Sequence, residues 1–188
     1  MSIGLPRVWS ATATGSKLTR MTLAISKADL NDAAAITELG RITFAETFTH
    51  YEPEDLAAFL EEKYQPNIFR EIIASPEEMI FKATLEDKLV GYAHAGRCAL
   101  PHPDVTANCG ELKRLYVKVG HQGAGIGSGL LAAALDWLVR PGRKIWVGVF
   151  SLNFGARKLY ESHGFRKVGD YRFVVGKALD EEFILMRE

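Results

Sequence analysis

The chain has 188 residues, 47% of them hydrophobic and 24% charged, enough for one substantial core and unlike either a disordered segment or a disulfide-stapled miniature. Its 23 Lys and Arg balance 23 Asp and Glu, which argues against nucleic acid as a partner, although one helix N-terminus would still hold a small phosphorylated ligand. Two cysteines, Cys98 and Cys109, form no disulfide framework and fit a reducing, cytoplasmic setting, and no apolar run reaches the roughly 18 to 20 residues that span a membrane.

Residues 1–20 are rich in Ser, Thr and Ala and carry Arg7, Lys17 and Arg20 without any acid. That composition overlaps with transit peptides and reads as a flexible N-terminal arm or an upstream start, leaving residues 21–188 as a single domain. Residues 22–26 predict a strand. Asp29 and Asn31 then open a capped helix that continues amphipathically toward Phe48, and Pro53 starts a second helix to about Tyr64. Residues 79–85 and 88–97 form a predicted hairpin around Glu86 and Asp87, followed by a Pro-containing loop over 100–108. A strand over 111–118 leads into glycines at 123, 125, 127 and 129, and the helix that follows stops before Pro141 and Gly142. Residues 144–150 read as a buried strand. In the next helix, over 153–163, Ala156, Leu159, Tyr160 and His163 share one face, and Gly164 ends it. Strands over 166–175 and 182–187 close the chain around a loop holding Gly176 and Asp180.

A glycine-rich turn between a strand and a helix aims several amides, and the positive end of the helix dipole, at one spot. Spacing decides which anion it suits. No Lys lies in the loop, so it is not a P-loop, and GxGxxG fails at Ser128 from Gly123 and at Leu130 from Gly125. What remains is Gln122, Gly123, Ala124, Gly125, Ile126 and Gly127, which resembles the Q/R-x-x-G-x-G/A pyrophosphate loop of the GNAT acetyltransferases. A second segment, with Asn153, Ala156, Tyr160, Gly164 and Phe165, is similar to that family's N-x-x-A-x-x-x-Y-x-x-x-G-F stretch. The resemblance covers about residues 22–187. Residues 44–48, 145–149 and 173–176 are further similar to a bacterial branch that includes spermidine/spermine acetyltransferases.

The resemblance implies an α/β GNAT fold: a central mixed, mostly antiparallel sheet splayed at an acetyl-CoA cleft, with helices on both faces. It also implies transfer of an acetyl group from acetyl-CoA, as co-substrate, to a primary amine. An alkyl ammonium of pKa near 10.4 is only about one part in 2,500 neutral at pH 7, so a base is required. Glu111 resembles the family's general base; as a bare residue it reads as a surface partner of Lys113 or Arg114, and other carboxylates are open alternatives. Tyr160 resembles the acid that protonates the departing thiolate, beside its plain reading as core. Leu115, Tyr116 and Val117 match the strand whose amides hold the pantetheine arm and polarise the acetyl carbonyl. Asn153 either touches that arm or caps its helix. Gln122, Gly123, Ala124, Gly125, Ile126, Gly127 and Ala156 complete the implied coenzyme contacts.

A covalent acyl-cysteine would need activation of Cys98 or Cys109, and no nucleophile motif surrounds them, so direct attack is expected. The five histidines show no HxxxH or HExxH spacing, and no metal is expected. The acceptor is a small-molecule amine, with a polyamine ranked first because Glu46, Glu52, Glu54, Asp55, Glu61 and Glu62 crowd the first two helices; a solvated charged face is the other explanation. Peptide, amino acid or drug amines form a second reading, and a non-catalytic coenzyme-binding sensor a third. Homodimers are common in the family, which makes one an expectation here.

Overall fold

The computed structural model describes residues 22–188, so the expected N-terminal arm lies outside the described residues. Strand β1 (Leu23–Lys27) is followed by a single 3-10 turn and helix α1 (Ala33–Thr47). Asp29 caps that turn: it accepts from the Asn31 amide at 2.8 Å, while Asp32 accepts from the Asp29 amide at 2.8 Å. Helices α2 (Pro53–Lys63) and α3 (Pro66–Ala74) each open on proline, whose missing N–H costs nothing at a helix start. The sequence reading expected two helices here, not three. Pro66 starts the third, and behind it Phe69, Ile72 and Ile73 form a short apolar stripe.

Strands β2 (Met79–Leu85) and β3 (Lys88–Arg97) pair as the expected hairpin, with Glu86 and Asp87 both at positive φ, as a two-residue turn matched to strand twist demands. Then come β4 (Gly110–Val117), α4 (Ile126–Leu138), β5 (Ile145–Phe150), α5 (Phe154–Ser162), β6 (Arg166–Val175) and β7 (Ala178–Arg187). Strand β7 begins four residues earlier than expected, so Asp180 lies in the sheet and not in a loop.

The seven strands run in the order β1-β2-β3-β4-β5-β7-β6, antiparallel everywhere except between β4 and β5. Helices cover both faces. On one, α4 and the Ala156, Leu159 and Tyr160 side of α5 pack over Leu112, Ile145, Val147 and Val149; on the other, α1 and α3 bury Ile36, Phe44 and Phe69 against Tyr92 and Ile80. This is the expected mixed, mostly antiparallel α/β architecture. The parallel β4–β5 pairing is confined to Gly110 with Ile145 and Glu111 with Trp146. Beyond Glu111, β4 follows β3 to Val117 while β5 follows β7 to Phe150, and the sheet opens between them. An extra residue, Lys113, bulges from β4 opposite His94 and Ala95 and bends the strand at the parting. No described helix is long and apolar enough to cross a membrane.

Candidate active site

Where the sheet parts lies a cleft of about 1180 Å³, lined on one side by Glu111 to Val117 of β4 and on the other by Val147 to Phe150 of β5. The β4 edge facing the gap has lost its sheet partner, which leaves backbone donors and acceptors free for an extended ligand. The glycine loop closes the end of this wall. Gly120, Gly123 and Gly125 all adopt positive φ, and Gly125, at +79°, starts α4. The first helical bond runs from the Gly129 amide to the Gly125 carbonyl, so the amides of Ile126, Gly127 and Ser128 have no intrahelical acceptor. A Cβ on Gly123 or Gly125 would meet nothing within 4 Å, so the space beside the loop is open. Gln122 steadies the turn by donating to the Val117 carbonyl at 3.1 Å. A free strand edge ending in an open turn with three unpaired amides fits a pantetheine arm carrying a pyrophosphate, with no metal or lysine needed to hold it.

Glu111, Leu115, Tyr116, Val117, Gln122, Gly123, Gly125, Gly127, Asn153, Ala156 and Tyr160 all line this one cleft. Ala124 and Ile126 belong to the same loop without lining it; the Ile126 side chain is buried in the core under α4. Asn153 caps α5, its Oδ1 accepting from the Ala156 amide at 3.1 Å, while it also borders the cleft. Neither cysteine borders it, and burial pushes the Cys98 thiol up to about 12.

Glu111 stands at the point of divergence, nearly buried, its Oε2 accepting from the Ala99 amide at 2.8 Å with the Lys113 ammonium 3.7 Å away. Tyr160 is 5% exposed, and no hydrogen bond to its hydroxyl from the described residues accompanies its edge-on packing against Phe165. Burial first, and the charge of Glu182 second, push its phenol well above the ordinary tyrosine value.

The sequence reading missed the cleft floor. Glu182 of β7, paired with Phe150 of β5, is 9% exposed and accepts a short hydrogen bond from Tyr171 of β6. Burial raises its carboxyl above the usual range; the Tyr171 bond opposes this, and the charges of Asp180 and Glu111 add to it. Gly148 makes room for the pair: a Cβ there would lie 2.9 Å from the Tyr171 hydroxyl and 3.1 Å from Glu182 Oε2. Two residues along β7, Asp180 accepts from the Tyr51 hydroxyl at 2.5 Å and from His50 Nε2 at 2.9 Å. A signal was present, since Asp180, Glu182, Ile184 and Met186 alternate on one strand face, placing two acids in the register of buried apolar residues.

Another part of the cleft wall is aromatic, with Phe44, Phe48, Phe59, Tyr64, Phe150 and Phe173 on the lining. Behind β4, the Arg114 guanidinium lies 5.4 Å from the centre of the Tyr64 ring and 5.6 Å from that of Phe69 and donates to His94 Nδ1 at 2.9 Å, while His94 Nε2 donates to Glu78 at 2.7 Å. Accepting at Nδ1 needs a neutral imidazole protonated on Nε2, and burial pushes His94 down to about 4 against the opposing bond to Glu78. Of the six acids expected to draw a polyamine, only Glu46 lines the cleft; Glu61 and Glu62 pair with Arg41 and Lys63, and Asp55 accepts from the Lys177 amide.

Residues 41–165 match the model of the Acetyltransferase (GNAT) family. The chain is 28% identical over 169 residues to an uncharacterized N-acetyltransferase in the pepI 3' region of Lactobacillus delbrueckii subsp. lactis, covering 87% of this chain and 94% of that one. It is 30% identical over 131 residues to the N-alpha-acetyltransferase RimI of Mycobacterium tuberculosis, covering 70% and 79%. Its fold is similar to that of the PaiA N-acetyltransferase of Thermoplasma acidophilum, solved in complex with coenzyme A, with a TM-score of 0.72, 22% identity, and coverage of 89% and 99%. With the parted sheet and its glycine loop, these findings establish that the chain belongs to the GNAT acetyltransferase family and is an acetyl-CoA-dependent N-acetyltransferase.

Proposed function

We propose that residues 21–188 act as one domain that acetylates a primary amine by direct attack, with Glu111 as a general base and Tyr160 as the acid. The observation that carries this reading is the convergence of Glu111, Tyr160 and the glycine loop on one cleft at the parting of β4 and β5. Acetyl-CoA supplies the activated acetyl thioester. Leu115, Tyr116 and Val117 offer their free strand edge to its arm, Gln122, Gly123, Ala124, Gly125, Ile126 and Gly127 form the turn for its phosphates, and Asn153 and Ala156 border the arm from α5. Glu111 takes a proton at the amine nitrogen, and the Tyr160 hydroxyl gives one up as the product leaves.

For the acceptor, the geometry favours a single ammonium beside an apolar group, such as the α-amine of a peptide or amino acid. Aromatic walls suit an apolar side chain and a cation together. Of the three acids on the lining, Glu46, Glu111 and Glu182, Glu111 is already offset by the Lys113 ammonium at 3.7 Å and Glu182 is held by Tyr171, which leaves little free negative charge for a polycation. The name of the mycobacterial relative supports the same reading. A polyamine acceptor is supported by the resemblance of residues 44–48, 145–149 and 173–176, and by Glu46. Thiol release from acetyl-CoA with spermidine, spermine, an aminoglycoside and peptides of varied first residue decides between them. Faster release with an apolar-first peptide supports the α-amine, release with spermidine alone replaces it with the polyamine, and no amine-dependent release removes the enzymatic role assigned to this cleft.

A further inference from the structure

Turning an alkyl ammonium into an amide nitrogen removes two protons from one atom. One of them ends, in net terms, on the departing sulfur and the other leaves for solvent, yet both must first be accepted beside the nitrogen. Glu111 accounts for one. The second acceptor has to lie in the same cleft, be ionised when the ammonium arrives, and sit close enough to the acid group for the proton to move on.

Glu182 meets these conditions by position. It lines the cleft with Glu111 and Tyr160, it is nine-tenths buried, and one of its oxygens, Oε2, is fixed by the Tyr171 hydroxyl. Its other oxygen has no described partner. Gly148 leaves the space in which the Tyr171–Glu182 pair meets the gap between the strands. Tyr160, 5% exposed as a residue, borders the same cleft, close enough for the Glu182 charge to act on its phenol.

We propose that Glu182, oriented by Tyr171, is a second catalytic carboxylate that binds the acceptor's ammonium together with Glu111 and takes one of its two protons. The inference rests on the amine-acetylation reading above. As the C–N bond forms and the C–S bond breaks, the electron pair of the latter goes to sulfur, Tyr160 gives that sulfur a proton, and a protonated carboxyl of the Glu111–Glu182 pair restores the Tyr160 hydroxyl. The other carboxyl returns its proton to solvent. Atoms and charge balance without an oxidant or metal. The charge of Glu182 also couples the steps: it opposes ionisation of Tyr160, so accepting the amine's proton removes that opposition and makes Tyr160 a stronger acid when one is needed.

The test compares wild type, Glu182→Gln and Tyr171→Phe, using the alkyl amine that the wild type turns over and the weakly basic trifluoroethylamine, whose nitrogen arrives largely neutral. The expected result for Glu182→Gln is a kcat loss of about 100-fold with the alkyl amine, shrinking to under roughly tenfold with trifluoroethylamine, at an acetyl-CoA Kd within about twofold of wild type. In coenzyme-free protein labelled at the glutamate carboxyls with carbon-13, one carboxyl should titrate above the usual range and be missing from Glu182→Gln. A kcat within roughly threefold of wild type, or an equal loss with both amines, overturns the proposal. If Glu182→Gln fails to fold, Tyr171→Phe decides: losing a hydrogen bond to the charged form raises the Glu182 carboxyl further, so the acid limb of kcat/KM moves to higher pH, and an unmoved limb overturns the proposal. Failure of the broader reading looks different, because the wild type itself then releases no thiol with any amine.

Discussion

The two sides of the cleft use different materials. The β4 wall and its glycine loop present backbone: a strand edge without a neighbour, and three helix amides without acceptors. The β5–β7–β6 floor and the aromatic end present side chains, with Glu182 against Tyr171 and Phe48 against Phe150. Backbone recognition suits a partner that never changes, because almost any side chain leaves it intact provided the turn can form. Side-chain recognition suits the variable partner, because each substitution alters charge or shape directly. Glu111, the base we propose, stands where the two sides part.

Variants on either side break or sharpen this comparison. The largest effect is expected from Glu111→Gln, about a 1,000-fold loss in kcat from steady-state thiol release, with acetyl-CoA affinity nearly unchanged. Next is the support behind β4. With His94 held neutral by burial, the unfolded state binds a proton more readily near pH 6.5, so this contribution is complete above that value and is lost as pH falls toward 4. It amounts to about 3 kcal/mol, seen as a drop in denaturation midpoint across that window. Tyr160→Phe should lower kcat by about 100-fold and spare the coenzyme Kd. Gly148→Ala and Gly125→Ala then form a paired test. The first pushes a methyl against the Tyr171–Glu182 bond and should cost about tenfold in kcat with little change in coenzyme Kd. The second strains the loop at φ +79°, by about 1 kcal/mol, and should weaken acetyl-CoA about fivefold in calorimetry while leaving the acceptor's KM alone. If both glycine variants moved the same constant, the division into backbone and side-chain halves would fail.

Local chemistry explains which parts were legible in the chain. Glycines at 123 and 125 after a strand announce the loop we assign to the coenzyme, because positive φ and free amides are properties of one short segment. Asp29, Pro53, Asn153 and the Glu86–Asp87 turn announce element ends in the same way. The third helix escaped notice because Pro66 follows only two residues after α2, within a stretch that reads as a continuing connection.

The fold class, the element order and the glycine loop are therefore set by residues close together in the chain, whose propensities act over one or two turns. The parting of β4 from β5 after two pairs of partners, the burial of Glu182 beside Tyr171, and the stacking of His50 on Phe150 depend on strands and loops far apart in sequence. Only tertiary packing brings them together, and only burial among other charges turns an ordinary glutamate of β7 into a carboxyl with a raised proton affinity.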